Sequence, residues 1–192
     1  MTTGALVLAG GSARRMGGQT KALLELDGIS FLQRLAMAFE PFEEKLLSTN
    51  DPSLSRGTTF QSVSDFFPHS GPLSGLHAAL TVCKSDALVV TACDTPLFSR
   101  AMAQWLAAEQ ERLGVPAIGL KDRSGKLHPL CGVYTKSCLP MLESALSGDR
   151  RRVMALFDAV GGIFLSLESS PFPDELLTNV NTPEELAALI HR

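Results

Sequence analysis

No apolar run in the 192-residue sequence approaches the ~18 residues that a membrane-spanning helix needs, and no basic segment precedes the short apolar stretch after Met1-Thr2-Thr3. The chain is expected to be soluble, cytoplasmic and not exported. Positive charge is also scarce: 17 Lys and Arg against 20 Asp and Glu leave a formal net charge of −3. Nothing global therefore draws the protein to DNA, RNA or an anionic membrane, and neither nucleic acid nor membrane is expected as a partner. Any phosphate it binds must meet a local basic cluster. Cys83, Cys93, Cys131 and Cys138 show no CxxC or Cys/His spacing that would close a zinc site, and each lies in an apolar neighbourhood, so they read as reduced core residues. His69, His77, His128 and His191 show no ligand spacing either. His128, directly before Pro129, reads as structural because proline fixes an extended approach.

What is present is a globular composition, 45% hydrophobic and 19% charged, in a length that suits one domain spanning residues 1–192. There is no internal repeat, low-complexity tract or linker. Ala5–Leu8, Lys45–Ser48, Ala87–Val90 and Ala117–Leu120 are short continuous apolar runs of the kind that form buried parallel strands. Between them, Phe31, Leu32, Leu35, Ala36 and Phe39 recur at helical spacing before Pro41, and Leu73, Leu76, Leu80 and Cys83 do so after Pro72. Ser99 can cap a third helix that Gly114 ends. His128–Tyr134 and Ile163–Leu167 read as strands, with helices around Ser137–Leu146 and Arg151–Val160. Thr182-Pro183-Glu184-Glu185 opens a last helix. This alternation predicts an α/β fold with an open, mostly parallel sheet of Rossmann type, whose ligand site lies beyond the carboxyl ends of the strands.

The segment after the first strand is Leu8-Ala9-Gly10-Gly11-Ser12-Ala13-Arg14-Arg15-Met16-Gly17-Gly18-Gln19-Thr20-Lys21. Glycines let a backbone approach a phosphate chain, while N–H groups, Arg and Lys neutralise it. The spacing is neither that of a Walker A loop nor that of a dinucleotide G-x-G-x-x-G turn. A solvated loop with incidental cations competes with an anion cradle. Its position after strand one of a parallel sheet favours the cradle.

These residues closely resemble the N-terminal motif of the molybdenum cofactor guanylyltransferases (MobA type), within a wider group of nucleotidyltransferases. Gly71-Pro72-Leu73-Ser74-Gly75, Cys93-Asp94-Thr95-Pro96, His128-Pro129, Arg151-Arg152-Val153-Met154 and Asn179-Val180-Asn181-Thr182-Pro183 resemble that family's further blocks, in its order. The resemblance covers nearly the whole chain. It implies a single-domain, three-layer nucleotidyltransferase fold, its N-terminal part binding nucleotide and its C-terminal part binding molybdopterin. It further implies that Leu8, Ala9, Gly10, Gly11, Lys21, Asn50, Asp65, Gly71, Gly75 and Asp94 contact GTP, that Arg15, Lys21 and Asp94 serve catalysis, and that Arg151, Arg152, Asn179 and Asn181 contact the pterin substrate.

The residues themselves allow both functional and bland readings. Asp94 should sit at the carboxyl end of a central strand, a suitable place for Mg²⁺, with Mn²⁺ as the substitute, because such an ion needs one or two carboxylates plus substrate phosphates. A turn or cap is the competing role. Asp65 also reads as an exposed loop acid, Arg150–Arg152 as a solvated charge run, and Asn179 and Asn181 as caps of the last helix. Gly71 and Gly75 bracket a helix start, where free N–H groups favour an anion or a polar base edge.

The implied reaction moves GMP from GTP onto the phosphate of the molybdenum-molybdopterin cofactor and releases pyrophosphate. A phosphate monoester, with a second pKa of about 6, needs no general base to attack. GTP and molybdopterin are thus the expected partners, with room for transient contact with molybdoenzymes or their chaperones. A cytidylyl- or sugar-nucleotidyltransferase on the same fold is the competing enzyme, and a non-catalytic molybdopterin carrier the competing binding protein.

Overall fold

The computed structural model describes residues 1–10, 20–68, 70–148 and 152–190. The apolar Ala5–Leu8 run lies in the middle of the sheet as β1 (Thr3–Leu8), flanked in parallel by β4 (Lys45–Ser48) and β6 (Ala87–Ala92). Outside β4 lies β5 (Gln61–Val63), and beyond β6 lie β8 (Leu127–Thr135), β7 (Ala117–Lys121) and β9 (Ile163–Ser166), giving the order β5-β4-β1-β6-β8-β7-β9. Only β8 runs against its neighbours. The chain between β7 and β8 is too short for a crossover, so these two strands must form a hairpin.

Alternate residues of β1 face opposite layers, as the two-residue strand period requires. Ala5 and Val7 pack with Leu32 and Leu35 of α1 (Phe31–Ala38) and with Met102 and Leu106 of α3 (Arg100–Leu113). Leu6 and Leu8 pack with Leu73, Leu76 and Leu80 of α2 (Pro72–Val82), in a layer shared with α4 (Leu139–Ser147) and α5 (Val153–Val160). The fold is therefore three-layered, with a mostly parallel sheet between helices. All four cysteines are free and buried, as expected of core residues.

Local chemistry sets the helix ends. Ser30 and Gln33 form a reciprocal capping box on α1, Ser99 accepts from the Met102 N–H to start α3, and Gly114 ends that helix in the left-handed region that glycine tolerates. Among the strands, a small hairpin and one edge strand went unread in the sequence. The hairpin pairs β2 (Glu25–Leu26) with β3 (Ile29–Ser30), turned by Asp27 and Gly28 at φ 55° and 73°. Asp-Gly is a strong hairpin signal, but two-residue strands show no periodicity. The edge strand is β5, whose Gln61-Ser62-Val63 is too short and polar to stand out. The helix expected from Arg151 begins at Val153, and the strand expected through Leu167 ends at Ser166.

β8 carries a bulge. Gly119 pairs with Gly132 while the next residue, Leu120, pairs with His128, so Pro129-Leu130-Cys131 is extra chain on one side of the ladder. Proline cannot donate to a ladder and marks such irregularities. The His128 imidazole and Asp122 carboxylate, 3.0 Å apart, tie the strand to the turn ahead of it. Burial alone would raise the Asp122 carboxyl, but hydrogen bonds involving His128, Ser124 and the Lys126 N–H outweigh it and hold it well below the usual range.

Candidate active site

After β1 the chain crosses to β4 under α1, and after β5 it crosses to β6 over α2, on the opposite layer. The strand order reverses between β1 and β6, which opens a crevice at their carboxyl ends where α/β proteins bind ligands. A cleft of about 670 Å³ lies there, lined by Leu8, Ala9, Gly10, Lys21, Asp94 and Asn181, with Pro72, Cys93, Leu130 and Glu184 among its other walls. Leu130 reaches it from the β8 bulge, a placement that only Pro129 hints at in the sequence.

Lys21 and Asp94 stand side by side in this cleft. Lys21 Nζ is 3.5 Å from Asp94 Oδ2, and both side chains are more than four-fifths covered. Lys21 Nζ donates to Asn181 Oδ1 at 2.6 Å, and Asn179 Nδ2 donates to Asp94 Oδ1 at 2.9 Å. The asparagines come from the segment before α6 (Pro183–Ile190), where Thr182 and Glu185 form the cap of the helix. Between them the Val180 N–H donates to the Asp94 carbonyl at 2.7 Å. Its side chain is buried with Leu26 and Phe31 in a small separate core. The sequence reading missed Val180, although an apolar residue between two polar ones is the pattern of an extended segment with one face buried.

A second cluster forms where β1, β4 and β5 end. Asn50 Nδ2 donates to Asp65 Oδ2 at 3.2 Å, and Asn50 Oδ1 accepts from the Asp65 N–H at 3.2 Å. A Cβ on Gly10 would lie 3.9 Å from Asp65 Oδ2, so this pair borders the same glycine turn. Burial raises the half-buried Asp65 carboxyl above its ordinary value, against the smaller opposing effect of Asn50. Burial, then the neighbouring Asp94 carboxylate, push the Cys93 thiol up to about 12.

Residues 5–162 match the family model of the MobA-like NTP transferase domain. The chain belongs to the MobA-like NTP transferase family. It is 35% identical over 190 residues to the molybdenum cofactor guanylyltransferase of Cereibacter sphaeroides, covering 95% of this chain and 92% of that one. It is 32% identical over 187 residues to the probable molybdenum cofactor guanylyltransferase of Carboxydothermus hydrogenoformans, covering 96% and 93%. Among solved structures, the molybdopterin-guanine dinucleotide biosynthesis protein A of Archaeoglobus fulgidus superposes with a TM-score of 0.84 at 24% identity, covering 100% of this chain and 97% of that one. The 2-C-methyl-D-erythritol 4-phosphate cytidylyltransferase of Thermus thermophilus shares the fold with a TM-score of 0.69 at 14% identity, covering 100% and 98%.

Placed on this MobA-like framework, the expected site residues divide. Leu8, Ala9, Gly10, Lys21, Asp94 and Asn181 share the cleft, Asn179 holds Asp94, and Asn50 and Asp65 pair beside Gly10. Gly11, Arg15 and Arg151 lie outside the described residues, as does most of the basic loop. Arg152 is exposed immediately before α5. Gly71 caps α2 at φ 66°, a backbone that suits glycine. Gly75 is buried and tightly packed, and a Cβ there would lie 2.1 Å from Ser48 Oγ and 3.1 Å from Leu8 Cδ2. Asn181 and Asn179, expected on the pterin side, touch Lys21 and Asp94 of the nucleotide side directly.

Among the described residues no three His, Cys, Asp or Glu side chains gather to hold a metal ion. One carboxylate in a phosphate-sized cleft still fits Mg²⁺, which keeps waters and takes ligands from substrate phosphates. Zinc, with its closed protein ligand set, does not fit these residues.

Proposed function

We propose that this protein transfers GMP from GTP to the terminal phosphate of the molybdenum-molybdopterin cofactor, releasing pyrophosphate and forming the guanine dinucleotide cofactor. The observation that carries the reading is the Lys21–Asp94 pair lining the cleft at the crevice between β1 and β6, a cation for the triphosphate beside a carboxylate that would hold its metal ion. A phosphate oxygen of the pterin substrate bonds to the α-phosphorus of GTP while the bond from that phosphorus to the bridging oxygen of pyrophosphate breaks. The attacking dianion carries its own electron pair, so no side chain need remove a proton. The task of the chain is positioning and charge neutralisation.

Lys21 meets the phosphates, and Asp94 beside it would hold Mg²⁺, or Mn²⁺ in its place. That ion would supply positive charge beside the α-phosphate. Arg15 and Gly11 complete the phosphate cradle in this reading, and Arg151 and Arg152 meet the pterin phosphate. The Asn50–Asp65 pair is assigned to the guanine edge, whose N–H groups suit a carboxylate acceptor. In this reading the N-terminal half handles nucleotide, and the C-terminal half meets the pterin through Arg151 and Arg152. No helix among the described residues is long and apolar enough to cross a membrane, and four free thiols suit a reducing cytoplasm. Transient contact with molybdoenzymes or their chaperones would deliver the product.

Pyrophosphate release with purified molybdopterin tests the assignment, with GTP and CTP compared. Release with GTP at least a hundredfold above CTP is expected. Equal or better turnover with CTP moves the protein to the cytidylyltransferases, and molybdopterin binding without release with either nucleotide makes it a carrier.

A further inference from the structure

The cleft sets a cation and an anion side by side and still needs both charges for ligands. If Lys21 and Asp94 closed on each other, the lysine would be spent on the carboxylate and the carboxylate on the lysine, leaving less of either for a phosphate or a metal ion. They meet in a long ion pair at 3.5 Å, and each also has a closer neutral partner. An amide presents a carbonyl to a cation and an NH₂ to an anion, and the two asparagines use opposite ends of that group. Asn181 turns its carbonyl to Lys21 at 2.6 Å, and Asn179 turns its NH₂ to Asp94 at 2.9 Å. Neither contact cancels a charge.

The backbone makes this arrangement stiff. In extended chain residues two apart project to the same side, so Asn179 and Asn181 face the site while Val180 faces away. Val180 is fully buried with Leu26 and Phe31, and its N–H is bonded to the carbonyl of Asp94 itself. The clamp is therefore referenced to the residue it positions.

Resting on the nucleotidyltransferase reading, we propose that Asn179 and Asn181 are positioning residues for the nucleotide half of the site: they orient Asp94 and Lys21 and keep the ion pair between them long, ready to open to metal and triphosphate. Their primary role is not contact with the pterin. Losing one hydrogen bond to a charged group corresponds to about a tenfold change in an equilibrium.

The test is a double-mutant cycle read by calorimetric binding of Mg²⁺–GTP in the absence of molybdopterin, so that it does not depend on turnover. Asn181→Ala should weaken GTP binding about tenfold in the parent and have no further effect in Lys21→Ala. Asn179→Ala should raise the Mg²⁺ concentration needed for half-maximal GTP binding in the parent and leave it unchanged in Asp94→Ala. Asn181→Ser and Asn179→Ser carry the same cycles if an alanine variant fails to fold. Parent-like GTP binding in the asparagine variants, with loss confined to the KM for molybdopterin, overturns the clamp and restores a pterin contact. Equal losses in both backgrounds also overturn it, as a general structural effect. A parent protein that binds no GTP overturns the clamp and the nucleotidyltransferase reading together, whereas GTP binding by the parent with no response in the variants removes only the clamp.

Discussion

The Val180 N–H donates to the Asp94 carbonyl at 2.7 Å, and this one bond ties the last segment of the chain to the carboxyl end of β6. The Val180 side chain enters a small core with Leu26 and Phe31 that no sheet strand of the main body supplies. Trimming it to Val180→Ala removes two buried methyl groups, at a cost of about 2 kcal/mol. For a chain of this size that corresponds to a melting temperature lowered by roughly 4–8 °C. Calorimetric melting and kcat/KM for GTP measured at 25 °C, where the variant remains folded, should fall together, and unchanged kcat/KM would separate the strap from the site.

Asp94 lines the cleft at the end of its strand, where its carboxylate touches polar groups and no core side chain depends on it. Asp94→Ala should therefore lower turnover by on the order of 10²–10³-fold by removing the charge clamp, while the melting temperature moves by no more than about 3 °C. Pyrophosphate release and thermal melting on the same preparation check both halves. Near-native turnover in the folded variant removes Asp94 from the mechanism.

The Asp65 carboxyl is raised by burial, so the folded protein holds that proton more tightly than the unfolded chain does. The sign follows from linkage: its contribution to stability is fully present below the unfolded value of about 4 and is lost as pH rises through the folded value. At neutral pH the buried charge is a net cost. Asp65→Asn is expected to raise the melting temperature at pH 7, to have little effect at pH 4, and to weaken GTP binding. A lower melting temperature at pH 7 would show that Asn50 more than repays the burial of the charge.

Gly75 allows α2 to lie against β4. An added Cβ would meet Ser48 Oγ at 2.1 Å and Ser48 Cβ at 2.9 Å, so Gly75→Ala should cost about 1–3 kcal/mol through overpacking. Removing the hydroxyl with Ser48→Ala should recover part of that loss, since it clears the shorter contact and leaves the other. Chemical denaturation of the single and double variants reads this directly, and strict additivity would refute the contact.

Much of the architecture is legible in short stretches of chain. The apolar run at Ala5–Leu8, the Ser30 and Ser99 caps, Gly114 and the Thr182-Pro183 start act over a few residues, and each produces the element expected of it. The placement of Lys21 after strand one and Asp94 after a central strand follows from the same local rules, because parallel sheets align their carboxyl ends. Where the sequence reading failed, the signal was too short, as at Glu25–Ser30 and Gln61–Val63.

By itself the sequence determined the alternation of strands and helices and the set of polar residues that collect at one end of the sheet, since periodicity, capping and turn chemistry are local. Only the tertiary structure decided which of those residues touch. Asn181 reaches Lys21 across 160 positions and Asn179 reaches Asp94 across 85, because Val180 gains burial against Leu26 and Phe31 and brings both asparagines with it. A contact of that kind depends on apolar surface contributed by distant segments, and no pattern within either segment specifies its partner.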